Sequence, residues 1–173
     1  MFQNVWTSHA DDLAEWSLER AVNRTDCFGA YRNGQAFTPK ITLTREHLQG
    51  HFIGKWTGGV HAISKNNTSL WVCLDIDSHH EADDRAAAEA YAQSVWFALN
   101  DLVLEPVLFS SDGNGSFHLY VFFEYPIPSE AAHEFGRWLV HECPPPTSGS
   151  LACCLGRWSL AGRGGNGRPY PED

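Results

Sequence analysis

Two short stretches of this sequence carry residue types whose spacing could do chemistry. The first is Leu70-Trp-Val-Cys-Leu-Asp-Ile-Asp77. It is apolar, β-branched or aromatic until two carboxylates arrive, and it reads as a strand. Side chains alternate faces along a strand, which places Leu70, Val72, Leu74 and Ile76 on one face and Trp71, Cys73, Asp75 and Asp77 on the other. The first set suits a core. The second ends in two acids on the same side, the arrangement a hard divalent cation requires, since Mg²⁺ is commonly held by one or two carboxylates together with substrate phosphates. The plain alternative is a strand ending in a polar turn, with Asp77-Ser78 capping the next helix.

The second stretch is Ser111-Asp-Gly-Asn-Gly-Ser-Phe-His-Leu-Tyr-Val-Phe-Phe123, a glycine-rich turn that runs into a strong strand. Phe117, Leu119, Val121 and Phe123 form one apolar face; Ser116, His118, Tyr120 and Phe122 lie opposite. A serine and a histidine therefore stand at the mouth of a turn whose backbone N–H groups could cradle an anion. A histidine within a strand can equally be structural. The company of a carboxylate pair favours phosphate contact.

Elements must position these groups, and the chain supplies them. Residues 11–23 carry Leu13, Trp16, Leu18 and Val22 at helical spacing, with Asp11 or Asp12 as cap. Phe28 to Tyr31 reads as a short strand, Asn33-Gly34 as a turn, and Phe37 to Ile41 as its hairpin partner with Pro39 confining it to an edge. Thr44 is placed to cap a short helix through Leu48. Val60 to Ile63 reads as a strand joined through Lys65-Asn-Asn-Thr68 to the Asp-x-Asp strand as an antiparallel hairpin. An alanine-rich helix follows to about Asn100. His79, His80 and Glu81 at its start form either metal ligands or a polar first turn. Pro106 to Ser110 feeds the glycine turn, Pro126 and Pro128 end the His118 strand, and Ser129 caps a helix to about His141. Together these elements imply an α+β fold, a mostly antiparallel sheet with helices packed on it. If the two functional strands are neighbours, Asp75, Asp77 and His118 converge.

With 173 residues, 43% of them hydrophobic, and seven tryptophans, the chain has enough apolar material for one domain with a real core. No run is long enough to cross a membrane, and no basic-then-apolar leader is visible at Met1 to His9. The five cysteines lack metal-ligand spacing, and Cys153-Cys154 suits neither a disulfide nor zinc, so a reducing cytoplasm is the simplest setting. The net charge of −9 disfavours nucleic acid as a partner. Between Cys27 and Leu74, however, the only acid is Glu46, while Arg32, Lys40, Arg45, Lys55 and Lys65 are basic and His47, His51 and His61 accompany them. That segment forms either a local phosphate-binding face or a scatter of solvated charges.

Asp75-Ile-Asp77, a helix, then Ser111-x-Gly-x-Gly-x-x-His118 and an apolar strand resemble the catalytic core of the archaeo-eukaryotic primase superfamily. More narrowly, they resemble the primase domains of TOTE conflict systems. His47-Leu-Gln-Gly50, the glycines before Val60, Asn66-Asn-Thr68, Pro126-Ile-Pro128 and Arg137-Trp-Leu-Val140 extend the resemblance over roughly residues 25–142. The resemblance implies an RNA-recognition-motif-like catalytic core with a small N-terminal α/β unit. It implies Asp75 and Asp77 as catalytic ligands of Mg²⁺ or Mn²⁺, and His118 as a catalytic group on the nucleotide's phosphates beside Ser111, Gly113, Gly115 and Ser116. The implied reaction is template-directed transfer from nucleoside triphosphates on DNA or RNA, with helicase or nuclease modules acting in trans.

Residues 1–143 are then the primase-like domain. Residues 144–173, rich in proline and glycine, show neither helical nor strand period and read as an irregular, truncated or frame-disrupted tail. A third acidic motif is expected after the last helix, and Glu142 is the nearest acid. Two other functions suit the same residues: a non-catalytic nucleotide- or nucleic-acid-binding remnant, and a metal-dependent nuclease.

Overall fold

The computed structural model of the chain describes residues 5–32, 34–78, 82–111, 115–144 and 151–153. Its centre is a four-stranded antiparallel sheet in the order β5-β6-β4-β7, built from β4 (Thr68–Ile76), β5 (Val107–Ser110), β6 (Phe117–Pro128) and β7 (Leu151–Cys153). Along β4 the two faces part as the alternation dictates. Val72, Leu74 and Ile76 pack with Leu119 and Val121 of β6 against α4 (Ala82–Asp101) and α5 (Ser129–Glu142), through Ala88, Ala92, Val95, Leu99 and Leu139. Trp71, Cys73 and Tyr120 face the other way.

That second face is covered by an N-terminal unit. It comprises α1 (Val5–Ser8), α2 (Ala10–Arg20), β1 (Gly29–Arg32), β2 (Gln35–Phe37), α3 (Arg45–Phe52) and β3 (Gly58–Gly59), its strands forming a small antiparallel sheet in the order β2-β1-β3. Ala14, Phe28, Ala30, Leu43, Leu48 and Trp56 join Trp71, Cys73 and Tyr120 in one core. The indole N–H of Trp71 donates to the Ala21 carbonyl at 2.8 Å, satisfying the one polar atom of a side chain that is otherwise buried. The α+β class expected from the sequence is the observed one, with the central sheet sandwiched between a helical layer and the N-terminal unit.

Several local expectations are corrected. Residues 60–63 do not form a hairpin with β4. β3 lies earlier, at Gly58–Gly59, and pairs with β1. Asn23 does the work a ladder would do: its amide donates to the carbonyls of His61 and Ala62 at 3.2 and 2.9 Å, and its oxygen accepts the Leu70 N–H at 2.8 Å. A side chain thus satisfies the loop's backbone groups, which is invisible to a strand pattern. Pro126 does not end β6, which runs to Pro128. The β4–β6 register jumps between Ser69↔Ile127 and Trp71↔Phe122, and this irregularity accommodates the proline. Beside it Leu70 packs with Trp71's cluster rather than with Val72's.

Thr44 caps α3 as expected, within a reciprocal capping box completed by His47. α2 begins after His9, with Asp11 and Asp12 in its first turn rather than as caps. α5 begins after Pro128, with Ser129 as its first residue and no side-chain cap. β2 spans residues 35–37, earlier than the expected 37–41, so Pro39 lies beyond it. Finally, residues 151–153 of the tail form β7 and pair with Leu74, Asp75 and Ile76. Three residues between glycine- and proline-rich flanks are too few to display a period. The remainder of the tail after Cys153, including Cys154, lies outside the described residues.

Candidate functional site

β4 carries its two faces to different ends. On the face of the N-terminal unit, successive rows of the β4–β6 ladder are Trp71↔Phe122, Cys73↔Tyr120 and Asp75↔His118. The first two rows are core and the third is polar. Directly opposed residues of an antiparallel pair share a face and lie close together. Accordingly, His118 Nε2 is 3.1 Å from Asp75 Oδ1, with the two side chains 20% and 24% exposed. The His118 ring also packs edge-on against Tyr120, which orients it from below. Asp77, two residues further on, is exposed just past the end of β4.

The mouth beside this pair is tightly held. The Ser78 N–H donates to the buried Ser116 hydroxyl oxygen at 3.2 Å, tying the exit of β4 to the entry of β6. The Ser111 N–H donates to the Ser116 carbonyl at 2.9 Å and closes the β5–β6 turn. Gly115 adopts φ +98°, and a Cβ there would meet Arg85 Cγ at 2.7 Å. A glycine is required both for the backbone angle and for the approach of this arginine. Arg85, in the first turns of α4 and exposed, sets a cationic side chain against the turn. Sequence reading passed over Arg85. Its only signal is a basic residue eight positions after Asp77, which nothing in the pattern ties to Gly115.

Of the expected site residues, the structure brings Asp75 and His118 into contact. It sets Ser111, Gly115 and Ser116 in the adjoining turn and leaves Asp77 at the rim. Gly113, and the alternative ligands His79, His80 and Glu81, lie outside the described residues. Glu142 is exposed at the end of α5, where it contacts His141 at 3.3 Å. The position opposite Asp75 on the flank away from β6 is Ala152.

Two cations of the basic segment are held in ion pairs. Arg45 pairs with Asp11 at 2.7 Å and Lys65 with Asp26 at 3.1 Å. Hydrogen bonding from Arg24, reinforced by Lys65, holds the Asp26 carboxyl well below the usual carboxylate range. Its histidines serve the fold: His47 Nδ1 accepts the Thr44 N–H at 3.1 Å and His51 Nδ1 accepts the Gly58 N–H at 3.3 Å. Burial holds the His61 imidazole below its ordinary value.

Among the described residues no group of three or more His, Cys, Asp or Glu side chains is gathered as a metal site. Two carboxylates at alternate positions, one half-buried and one exposed, nevertheless fit a cation of the Mg²⁺ or Mn²⁺ type, whose hard oxygen shell is ordinarily shared with substrate phosphates. Among the described residues no helix is long and apolar enough to cross a membrane, and Cys27, Cys73 and Cys143 are free thiols.

Comparisons with known proteins bear on this site. No curated protein sequence matches the chain. Among solved structures, the polymerase domain of Mycobacterium tuberculosis ligase D in complex with DNA is similar, with a TM-score of 0.54 at 16% identity. The match covers 79% of this chain and 61% of that one, so the chain spans about three-fifths of that domain's length and shares its fold. Residues 14–149 match the family described as the Archaeo-Eukaryotic Primase domain of the TOTE conflict system, a span wider at both ends than the residues 25–142 that carry the resemblance in the sequence. The chain that sets His118 against Asp75 across the β4–β6 ladder therefore belongs to the archaeo-eukaryotic primase domains of TOTE conflict systems.

Proposed function

We propose that this chain is a nucleotidyl-transfer domain that binds a nucleoside triphosphate together with Mg²⁺ or Mn²⁺ and extends a primer on a DNA or RNA template. The observation that carries this proposal is the Asp75–His118 pair, where a buried sheet face gives way to an acid, an imidazole and a glycine turn. Asp75 and Asp77 would hold the cation. When bound, it supplies activation of the attacking hydroxyl and neutralisation of the leaving pyrophosphate. His118 and the turn at Ser111, Gly115 and Ser116 bind the phosphates, and donors fixed in advance are effective where charge develops. The primer 3′-oxygen bonds to the α-phosphorus, the α–β bridging oxygen departs with pyrophosphate, and the hydroxyl proton passes to water. No side-chain nucleophile takes part. Helicase or nuclease modules would act in trans.

Primer extension with Mn²⁺ tests this assignment. Incorporation by the wild type and none by the Asp75→Ala/Asp77→Ala double variant is the expected result. Undiminished incorporation by that variant would overturn it. A second function, nucleotide binding without transfer, is favoured by the alanine opposite Asp75. It predicts stabilisation by nucleotide with no incorporation. Metal-dependent cleavage of DNA without added nucleotide would instead indicate a nuclease.

A further inference from the structure

Between Lys65 and Arg137 the only lysine or arginine is Arg85. That span supplies β4, α4, β5 and β6, the frame of the candidate site, and its carboxylates run from Asp75 to Glu134. A nucleoside triphosphate brings several negative charges of its own, and a site that holds it needs positive charge to offset them. The fold sets the one arginine of the span beside the glycine turn. Ser116 stands two residues before His118, and its hydroxyl accepts the Ser78 N–H. Its other neighbour is Gly115, against which Arg85 rests.

A Cβ on Gly115 would lie 2.7 Å from Arg85 Cγ, 2.9 Å from its Cβ and 3.3 Å from its Cα. The stem of Arg85 and the α4 backbone at its root therefore pack directly on the turn. This packing accounts for the carbons and not for the guanidinium, which is carried by an exposed residue. Among the described residues no ion pair holds Arg85, whereas Arg24, Arg45 and Lys65 are each bound to a carboxylate. The planar fork of an arginine matches two phosphate oxygens at once, and a stem already held by packing has less freedom to lose when the head binds. We infer that Arg85 is a specificity-determining residue, whose guanidinium donates to the terminal phosphates of the nucleotide and so distinguishes a triphosphate from a monophosphate. This inference rests on the nucleotide-binding function proposed above and adds the residue that reads the number of phosphates. Asp75 and His118 meet the phosphate at which transfer occurs. Arg85, separated from that pair by Ser116 and Gly115, meets the phosphates that leave.

Calorimetry on the full chain with Mn²⁺ held constant tests this. A non-hydrolysable α,β-methylene nucleoside triphosphate and the matching monophosphate are titrated into the wild type, Arg85→Met, Arg85→Gln and Arg85→Lys. Methionine and glutamine keep an unbranched stem on Gly115 and remove the charge; lysine keeps the charge without the fork. Both neutral variants are expected to bind the triphosphate about tenfold or more weakly, with monophosphate affinity unchanged, and Arg85→Lys is expected to recover part of the loss. The readout is the ratio of the two affinities, since an unfolded fraction lowers the stoichiometry and leaves that ratio as it was. An unchanged ratio in both neutral variants overturns the inference and leaves the nucleotide-binding function standing. Absence of triphosphate binding by the wild type overturns that function and the inference with it.

Discussion

Asp75 and His118 are cross-strand partners, Oδ1 to Nε2 at 3.1 Å, one row beyond Cys73 and Tyr120, which are wholly buried. An imidazole so placed has its acid beside it and, in the proposed function, meets the phosphates of a bound nucleotide. A hydrogen bond to a charged group is worth about 1.5–3 kcal/mol, and each 1.4 kcal/mol is about a tenfold change in affinity. His118→Ala is therefore expected to weaken binding of a nucleoside triphosphate with Mn²⁺ by about tenfold or more, with little change in melting temperature. Isothermal titration of the two proteins checks this, and equal affinities would remove His118 from the nucleotide site.

Gly115 and Gly54 both adopt positive φ, at +98° and +76°, but only Gly115 has a neighbour where a Cβ would go. Gly54→Ala should cost about 1 kcal/mol, the backbone term alone. Gly115→Ala should cost more, about 2–3 kcal/mol, because Arg85 must also move. Melting temperatures of the two variants provide the comparison, and a smaller loss in Gly115→Ala would mean that the Arg85 approach is relaxed at no cost.

Asn23 holds three backbone groups at once. Its replacement by alanine leaves the carbonyls of His61 and Ala62 and the Leu70 N–H without this partner, at an expected cost of about 2–4 kcal/mol. Urea unfolding would show it as a lower midpoint with unchanged slope. A loss under about 1 kcal/mol would indicate that water replaces the amide.

His61 introduces a pH dependence. Burial, with Arg24 nearby, lowers its folded pKa below the ordinary 6.5, and its Nε2 has no hydrogen-bond partner among the described residues. The unfolded chain then binds a proton more readily than the folded one. Stability from this group is present above pH 6.5 and is lost as pH falls from there through the folded pKa. Between pH 7 and pH 5 the melting temperature should fall less in His61→Gln than in the wild type. Parallel profiles would assign the fall to other groups.

Much of the candidate site was legible because strand alternation holds from Trp71 to Ile76 of β4, past the irregularity that turns Leu70. Parity alone put Trp71, Cys73 and Asp75 on one face and paired His118 with Tyr120 and Phe122 on one face of its own strand. What parity could not supply was register, which brought Asp75 opposite His118 rather than a row away. Nor could it reveal groups that act through single hydrogen bonds or close approach. Asn23 looks like a polar residue at a helix end, and Arg85 like an ordinary surface cation. The pairing of Arg45 with Asp11 and of Lys65 with Asp26 was hidden for a related reason, because both acids lie earlier in the chain and reach their partners only through folding. β7 was missed because three residues carry too little pattern to register.

That same short strand has a consequence for solubility. β4 is long and largely apolar, and β6 occupies only one of its two edges. Over Leu74, Asp75 and Ile76 the other edge is closed by Leu151–Cys153. An uncovered strand edge presents a row of N–H and C=O groups to any passing chain. Those three residues thus act as a cover against edge-to-edge association. Loss of their pairing, by a proline at position 152 for instance, would show first as self-association of folded molecules.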